Sequence, residues 1–149
     1  MPRILGLDFG TKRIGAAVSD PRRQIATPLE VYERRDPTQD ARHYRALIEE
    51  NEVERIVIGL PVHLAGREGA SASLARSWGD WLAGLSKLPV VFFDERFTTV
   101  EAEDSMIAAG LKRSKRKGLR DMLAARILLQ NYLDAGSPET TPLSAPLDD

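Results

Sequence analysis

Three short segments of β character follow one another at the start of the chain, joined by turns of a few residues. The first two, Arg3 to Asp8 and Arg13 to Asp20, flank a Gly-Thr-Lys-Arg connection. The third, Ile25 to Val31, follows Pro21-Arg22-Arg23. Connections this short and this rich in glycine, proline and polar residues join antiparallel neighbours. The chain is therefore predicted to begin with an antiparallel meander β1-β2-β3.

After the meander the apolar residues recur at helical spacing, and helices then alternate with strands. Asp36 followed by Pro37 is typical of a helix start, and Thr98 with Glu101 forms a capping box before a helix that Gly110 would end. The predicted elements are, in chain order, helix 36–52, strand 55–59, a helix around 74–85, strand 89–93, helix 98–110 and a last helix from 114 or 119 to 133. This order, βββαβαβαα, predicts an α/β fold with a five-stranded mixed sheet and helices on its faces.

Composition excludes several classes of protein. The chain has 149 residues, the length of one domain, and its 42% hydrophobic and 29% charged residues are ordinary for a globular protein. It has no cysteine, which excludes disulfides, thiolate nucleophiles and cysteine zinc sites, and only two histidines. The N-terminus has no apolar run long enough for a signal peptide or a membrane span, so we expect a cytoplasmic protein without a membrane partner.

The charge is unevenly distributed along the chain. The net charge is −1, but residues 134–149 carry four acidic and no basic side chains, and removing those four charges leaves +3. That stretch is also rich in Pro, Ser and Thr, so we predict a disordered acidic tail, 135–149, after a single domain, 1–134. Six of the nine residues from Lys112 to Arg120 are basic. Exposed charges are screened beyond about 8–10 Å, so a nucleic-acid phosphate would respond to this run rather than to the net charge.

Three acidic residues stand where regular packing favours other side chains. Asp8 ends the first strand, Glu95 follows the strand at 89–93, and Asp121 lies early in the last helix. If the first strand is central and the fifth lies near it, the three carboxylates converge at one edge of the sheet. Converging carboxylates repel one another unless a cation neutralises them, and Mg²⁺ or Mn²⁺ suits such oxygen ligands. Two such ions about 3.5–4 Å apart can support phosphodiester cleavage.

Each of these features also has a structural explanation, which the residues alone leave open. Asp8 could bond turn amides, Glu95 could be an exposed loop acid, and Asp121 could complement a helix dipole. The basic run could be a solvated face. Trp78 and Trp81, at helical spacing, are expected in the core rather than as platforms for nucleobases.

Four motifs, in one order along residues 1–134, resemble those of a known family. They are Leu7-Asp8-Phe9-Gly10-Thr11-Lys12-Arg13-Ile14-Gly15 with Ser19-Asp20; Gly59-Leu60-Pro61 with Gly66 and Gly69; Asp94-Glu95-Arg96-Phe97-Thr98-Thr99; and the basic run into Asp121 with Ala124-Ala125 and Ile127-Leu128-Leu129-Gln130. The chain thereby resembles the YqgF family of Holliday-junction resolvases and pre-16S rRNA nucleases. The resemblance implies a ribonuclease H-like fold with strand order 3-2-1-4-5. It also implies that Asp8, Glu95 and Asp121 are the catalytic, metal-binding triad.

The resulting hypothesis is a metal-dependent endonuclease, with Mg²⁺ or Mn²⁺ as cofactor, that acts on branched DNA or an rRNA precursor. A four-way junction would favour a homodimer with two sites, whereas rRNA trimming needs one. The predicted nucleic-acid-binding residues are all basic: Lys12, Arg13, Arg96, Lys112, Arg113, Lys115, Arg116 and Lys117. Two other classes stay open. One is a non-catalytic nucleic-acid-binding module, and the other is a relative of actin-like ATPases, whose first phosphate loop resembles Asp8-Phe9-Gly10-Thr11.

Overall fold

Five strands form one mixed sheet in the order β3-β2-β1-β4-β5, which confirms the predicted order. The computed structural model describes residues 2–60, 69–94 and 113–139. β2 pairs antiparallel with β1 and β3, while β4 pairs parallel with β1 and β5. The strands are β1 (Arg3–Asp8), β2 (Arg13–Ser19), β3 (Ala26–Glu33), β4 (Val53–Leu60) and β5 (Val90–Asp94).

The three parallel strands end at the same edge of the sheet. β1 ends there at Asp8, β4 at Leu60 and β5 at Asp94. β1 is the central strand, and its Gly6 lies between Ala17 of β2 and Val57 of β4. The edge at which β1, β4 and β5 end therefore carries the first of the predicted site acids.

Two strands are longer than the sequence pattern predicts. β4 begins two residues earlier than expected, because Val53 pairs with Arg3. β3 continues two residues further than expected, because Glu33 pairs with Arg13 at the start of β2. Cross-strand pairing thus extends the strands through polar residues that do not belong to the apolar pattern.

Helices cover both faces of the sheet, as predicted. α1 (Pro37–Glu50) begins after Asp36, whose carboxylate accepts a hydrogen bond from the Gln39 amide at 2.8 Å. α1 and α2 (Ala70–Ser86) pack on one face, and α3 (Arg113–Asp134) packs on the other. The core under α1 and α2 includes Leu5, Leu7, Ile14, Tyr44, Leu47, Ile56, Ile58, Trp78 and Leu82. The core under α3 includes Ile4, Ala17, Val57, Val91, Ala125, Leu129 and Tyr132.

α3 lies directly on β1 at Gly6. A Cβ atom at this glycine would come within 2.8 Å of the Leu129 Cβ, well inside the separation at which two carbon atoms attract each other. Ala124 and Ala125 of the same helix are buried, and their small side chains allow the helix to come close to the sheet. Small residues on both elements bring the helix close to the strand that ends in Asp8.

Several predicted features lie outside the described residues: helix 98–110, most of the glycine-containing loop after Leu60, and residues 140–149. The segment that follows α3 is described as far as Glu139. There Arg55 donates a hydrogen bond to the Ser137 carbonyl at 2.9 Å, and the Tyr132 hydroxyl donates one to the Pro138 carbonyl. The domain boundary at residue 134 and the disordered tail stay predictions. None of the described helices is both long and apolar enough to cross a membrane.

Candidate active site

Asp8 is the last residue of the central strand, and its side chain is half-buried. Side chains alternate along a strand, so Asp8 shares with Gly6 the face that α3 covers. The residue opposite Asp8 on β2 is Gly15. On β4, Ile58 pairs with Leu7, so the next residue, Gly59, lies beside Asp8. On this face the residues next to Asp8 on both adjacent strands are therefore glycines.

The N-terminal half of α3 points toward the edge at which Asp8 lies. Near the other end of the helix, Gln130 accepts a hydrogen bond from the Ala26 amide at 2.9 Å, at the edge where β1 begins. Leu129 lies over the middle of β1, and Asp121 is eight residues, about 12 Å, further toward the N-terminus of the helix. The backbone of α3 thus carries Asp121 toward the end of β1. The structure describes the backbone of Asp121 but not its side chain.

β5 leads to the position of the third predicted acid. Its residues Val91 and Phe93 pack on the α3 side of the sheet. The strand ends at Asp94, one residue before Glu95 in the sequence. Glu95 and its neighbour Arg96 lie outside the described residues, so the structure gives neither their position nor their contacts.

Of the three predicted acids, only Asp8 is described with its side chain. Among residues 2–60, 69–94 and 113–139, no three acidic or histidine side chains come together as a metal-binding group. Glu95 and the side chain of Asp121 are not among the described parts of the chain, so the triad and its metal stay predictions. Of the predicted basic run, Lys112 lies outside the described residues, and the backbone alone is described for Arg113, Lys115, Arg116 and Lys117, in the first turns of α3.

A basic cleft lies beside the β1–β2 hairpin. It has a volume of about 550 Å³ and is lined by Thr11, Lys12, Arg13, Glu33, Arg34 and Arg35. Lys12 and Arg13 are among the binding residues predicted from the sequence, whereas Arg34 and Arg35 are not. No local signal distinguishes that arginine pair from other surface arginines. The pairing of Arg13 with Glu33 is what brings the end of β3 to the hairpin.

Arg34 holds the hairpin in place. Its guanidinium donates hydrogen bonds to the carbonyls of Gly10, at 3.4 Å, and Thr11, at 3.2 Å. The same group lies over the Phe9 ring, 5.1 Å from its centroid, and the Arg34 amide donates to the Lys12 carbonyl at 2.8 Å. The cation–π contact and the hydrogen bonds to the two carbonyls together restrict the position of the guanidinium. Arg34, the residue directly after β3, therefore holds the residues that follow Asp8 in place.

The segment after β3 is anchored by a buried carboxylate. Asp40 accepts hydrogen bonds from the Tyr32 hydroxyl at 2.7 Å and from the Arg35 amide at 3.0 Å. Burial, and next the hydrogen bond to Asp40, raise the pKa of Tyr32 to about 12, so this phenol remains a neutral donor at physiological pH. These bonds fix the backbone that presents Arg34 and Arg35 to the cleft.

Similarity to known proteins covers nearly the whole chain. A family model described as RuvX, Holliday junction resolvase, matches residues 2–135. The chain belongs to the RuvX family. A relative from Halothermothrix orenii named "Putative pre-16S rRNA nuclease" is 43% identical over 132 residues, 89% of this chain and 94% of the relative. A protein of the same name from Lactococcus lactis is 44% identical over 135 residues, with the same two coverages of 89% and 94%. The predicted relationship to this family of nucleases is confirmed.

Solved structures share the fold of this RuvX-family protein at low sequence identity. RuvC from T. thermophilus, in complex with a Holliday junction substrate, covers 96% of this chain and 100% of its own, with a TM-score of 0.56 and 18% identity. The fowlpox virus resolvase with Holliday junction DNA covers 91% and 99%, with a TM-score of 0.57 and 13% identity. At these identities the similarity is one of fold, and it confirms the predicted ribonuclease H-like architecture.

Proposed function

We propose that this RuvX-family protein is a divalent-metal-dependent endonuclease that acts on structured nucleic acid. The observation that carries the proposal is the placement of Asp8, half-buried at the end of the central strand with Gly15 opposite it on β2. Asp8 lies at the edge of the sheet where β1, β4 and β5 end, the backbone of α3 carries Asp121 toward that edge, and Glu95 follows β5 in the sequence. Membership of a family of nucleases gives independent support to the same function.

The proposed metal ligands are Asp8, Glu95 and Asp121, and the proposed ion is Mg²⁺ or Mn²⁺. Carboxylate oxygens are the ligands that these hard cations prefer, so the donor set fits. Val91 and Phe93 place the odd-numbered side chains of β5 on the face that α3 covers, and Glu95 continues that series in the sequence. A bound divalent ion supplies an activated water and stabilises the leaving oxygen of a phosphodiester. The role we assign to Asp8 is that of central ligand.

The basic run at the start of α3 is proposed to hold the phosphate backbone. Reversing three of its charges, Lys115→Glu, Arg116→Glu and Lys117→Glu, is expected to weaken binding of every nucleic acid tested. Each lost phosphate contact lowers the slope of log Kobs against log salt by about 1, so the slope should fall by about 3. Fluorescence anisotropy of a labelled junction in EDTA measures binding without cleavage.

The matched control reverses three exposed arginines elsewhere, Arg22, Arg42 and Arg45, which lie in the β2–β3 turn and on α1. It makes the same change in net charge. An equal loss of affinity and of salt slope in both triple variants would show that the basic run makes no specific contact.

The identity of the substrate is settled by a side-by-side cleavage assay. A synthetic four-way junction and a 5′-extended 16S rRNA precursor are each incubated with the protein in Mg²⁺ and in Mn²⁺. Paired cuts in the junction require two sites, so a junction substrate also predicts a dimer by light scattering. Binding without cleavage of either substrate would favour a non-catalytic binding module, and turnover of ATP would favour an actin-like ATPase.

A further inference from the structure

We infer that the basic cleft, together with an aromatic pocket beside it, binds an unpaired single-stranded segment of nucleic acid. The aromatic pocket has a volume of about 180 Å³ and is lined by Arg34, Arg35, Pro37, Asp40, Trp78 and Trp81. Arg34 and Arg35 also line the basic cleft, so the two cavities adjoin. The inference rests on the proposed function, because it takes nucleic acid as the ligand. It adds that the substrate contains an unpaired single-stranded segment, which the metal site does not specify.

The basic cleft has the charge that a nucleic-acid backbone requires. Four of its six lining residues are cationic, and Glu33 is its one acidic residue. The side chains of Lys12 and Arg35 are exposed, and within the described residues neither forms an ion pair with a carboxylate. Such cations are available to phosphates, and binding of phosphates releases counterions.

The aromatic pocket offers a surface on which a base can stack. Trp78 is core, as predicted, with 6% of its surface exposed, whereas Trp81 is only half-buried. Their rings lie 6.1 Å apart, and Trp78 is 5.5 Å from Phe9, the ring that carries the Arg34 guanidinium. Bases of single strands stack on aromatic and guanidinium planes of this kind. The bases of a duplex are stacked on one another, and a pocket of this volume cannot admit a duplex.

The cleft lies close enough to the proposed metal site for one strand to reach both. Arg13 is two residues from Gly15, the cross-strand partner of Asp8, which is a distance of about 7 Å along β2. Arg34 ties the intervening hairpin to β3 through Gly10 and Thr11. A single strand held in the cleft can therefore continue along the hairpin to the end of β1.

Tryptophan fluorescence tests the inference directly, because the chain has two tryptophans and both line the aromatic pocket. A single-stranded oligonucleotide of about 12 nucleotides, titrated in EDTA, is expected to quench this fluorescence and to bind more tightly than the duplex of the same sequence. Lys12→Glu with Arg35→Glu should weaken single-strand binding about 10-fold and reduce the quenching in parallel. Trp81→Ala should weaken it by a similar factor of about 10.

The control variant carries Arg42→Glu and Arg45→Glu, which change the net charge equally on an exposed part of α1 outside both cavities. The inference is overturned if the single strand leaves the tryptophan fluorescence unchanged, or if both double variants lose the same affinity. The outcome is separable from that of the proposed function. Metal-dependent cleavage without quenching would refute single-strand binding in the cleft and support the proposed nuclease function. Quenching without cleavage in any metal would support single-strand binding in the cleft and refute the proposed nuclease function.

Discussion

Asp8→Asn is expected to abolish Mg²⁺- and Mn²⁺-dependent cleavage while the fold and most of the substrate binding are retained. Asparagine has nearly the same shape as aspartate but has no negative charge, so it keeps the packing at the end of β1 and is a much weaker ligand for a hard cation. Loss of groups that merely orient metal ligands already costs about 10–100-fold, so loss of the central ligand should cost at least about 100-fold in rate. The measurement is the initial rate of cleavage at saturating metal, with circular dichroism and anisotropy on the same preparation.

The matched control for this variant is Asp20→Asn, at the opposite edge of the sheet. The Asp20 carboxylate accepts hydrogen bonds from the amides of Ile25, at 2.9 Å, and Gln24, at 2.7 Å, and these bonds lower its pKa. An asparagine oxygen can accept the same bonds, so cleavage should continue at the wild-type rate. Undiminished cleavage by Asp8→Asn would refute the role of Asp8 as a metal ligand and, with it, the proposed metal site.

Gly6→Val is expected to lower the free energy of unfolding by about 3 kcal/mol, although valine is a better strand former than glycine. The reason is the contact with α3. Even a Cβ alone at this position would lie 2.8 Å from the Leu129 Cβ, an atom next to the helix backbone that cannot move without moving the helix. Urea denaturation followed by circular dichroism measures the change.

Gly84→Ala serves as the control for an added methyl group. Gly84 is exposed within α2, and a Cβ there would meet no atom within 4 Å, so alanine should stabilise the helix by up to about 1 kcal/mol. The double variant Gly6→Ala with Leu129→Gly should be less destabilised than the sum of its single variants, because glycine at position 129 removes the Cβ that the new methyl group would meet. Wild-type stability of Gly6→Val would mean that α3 is not packed against β1 in this way.

The amino-acid sequence alone predicted the order and type of the described elements and the place of Asp8 at a strand end. It could do so because hydrophobic periodicity and turn residues are local signals: the segment of residues 3–31 contains its own turns, and Asp36-Pro37 starts α1 where the pattern predicts. Four motifs in order also sufficed to predict the nuclease family. Strand ends were less well predicted, because the pairing that lengthens β3 and β4 depends on residues distant in the chain.

Only the tertiary structure revealed the combined cleft. Arg34 and Arg35 line one cleft with Lys12 because the pairing of β3 with β2 continues to Glu33, beyond the apolar pattern. They line the adjoining pocket with Trp81 because α2 packs beside α1, a contact without a local sequence signal. The same holds for the position of α3. Ala124 and Ala125 predict that the helix approaches a sheet, but the register of Gly6 beneath Leu129 decides where along β1 it lies. Local patterns determine which elements form, whereas packing between distant elements decides which of their side chains can act on the same ligand.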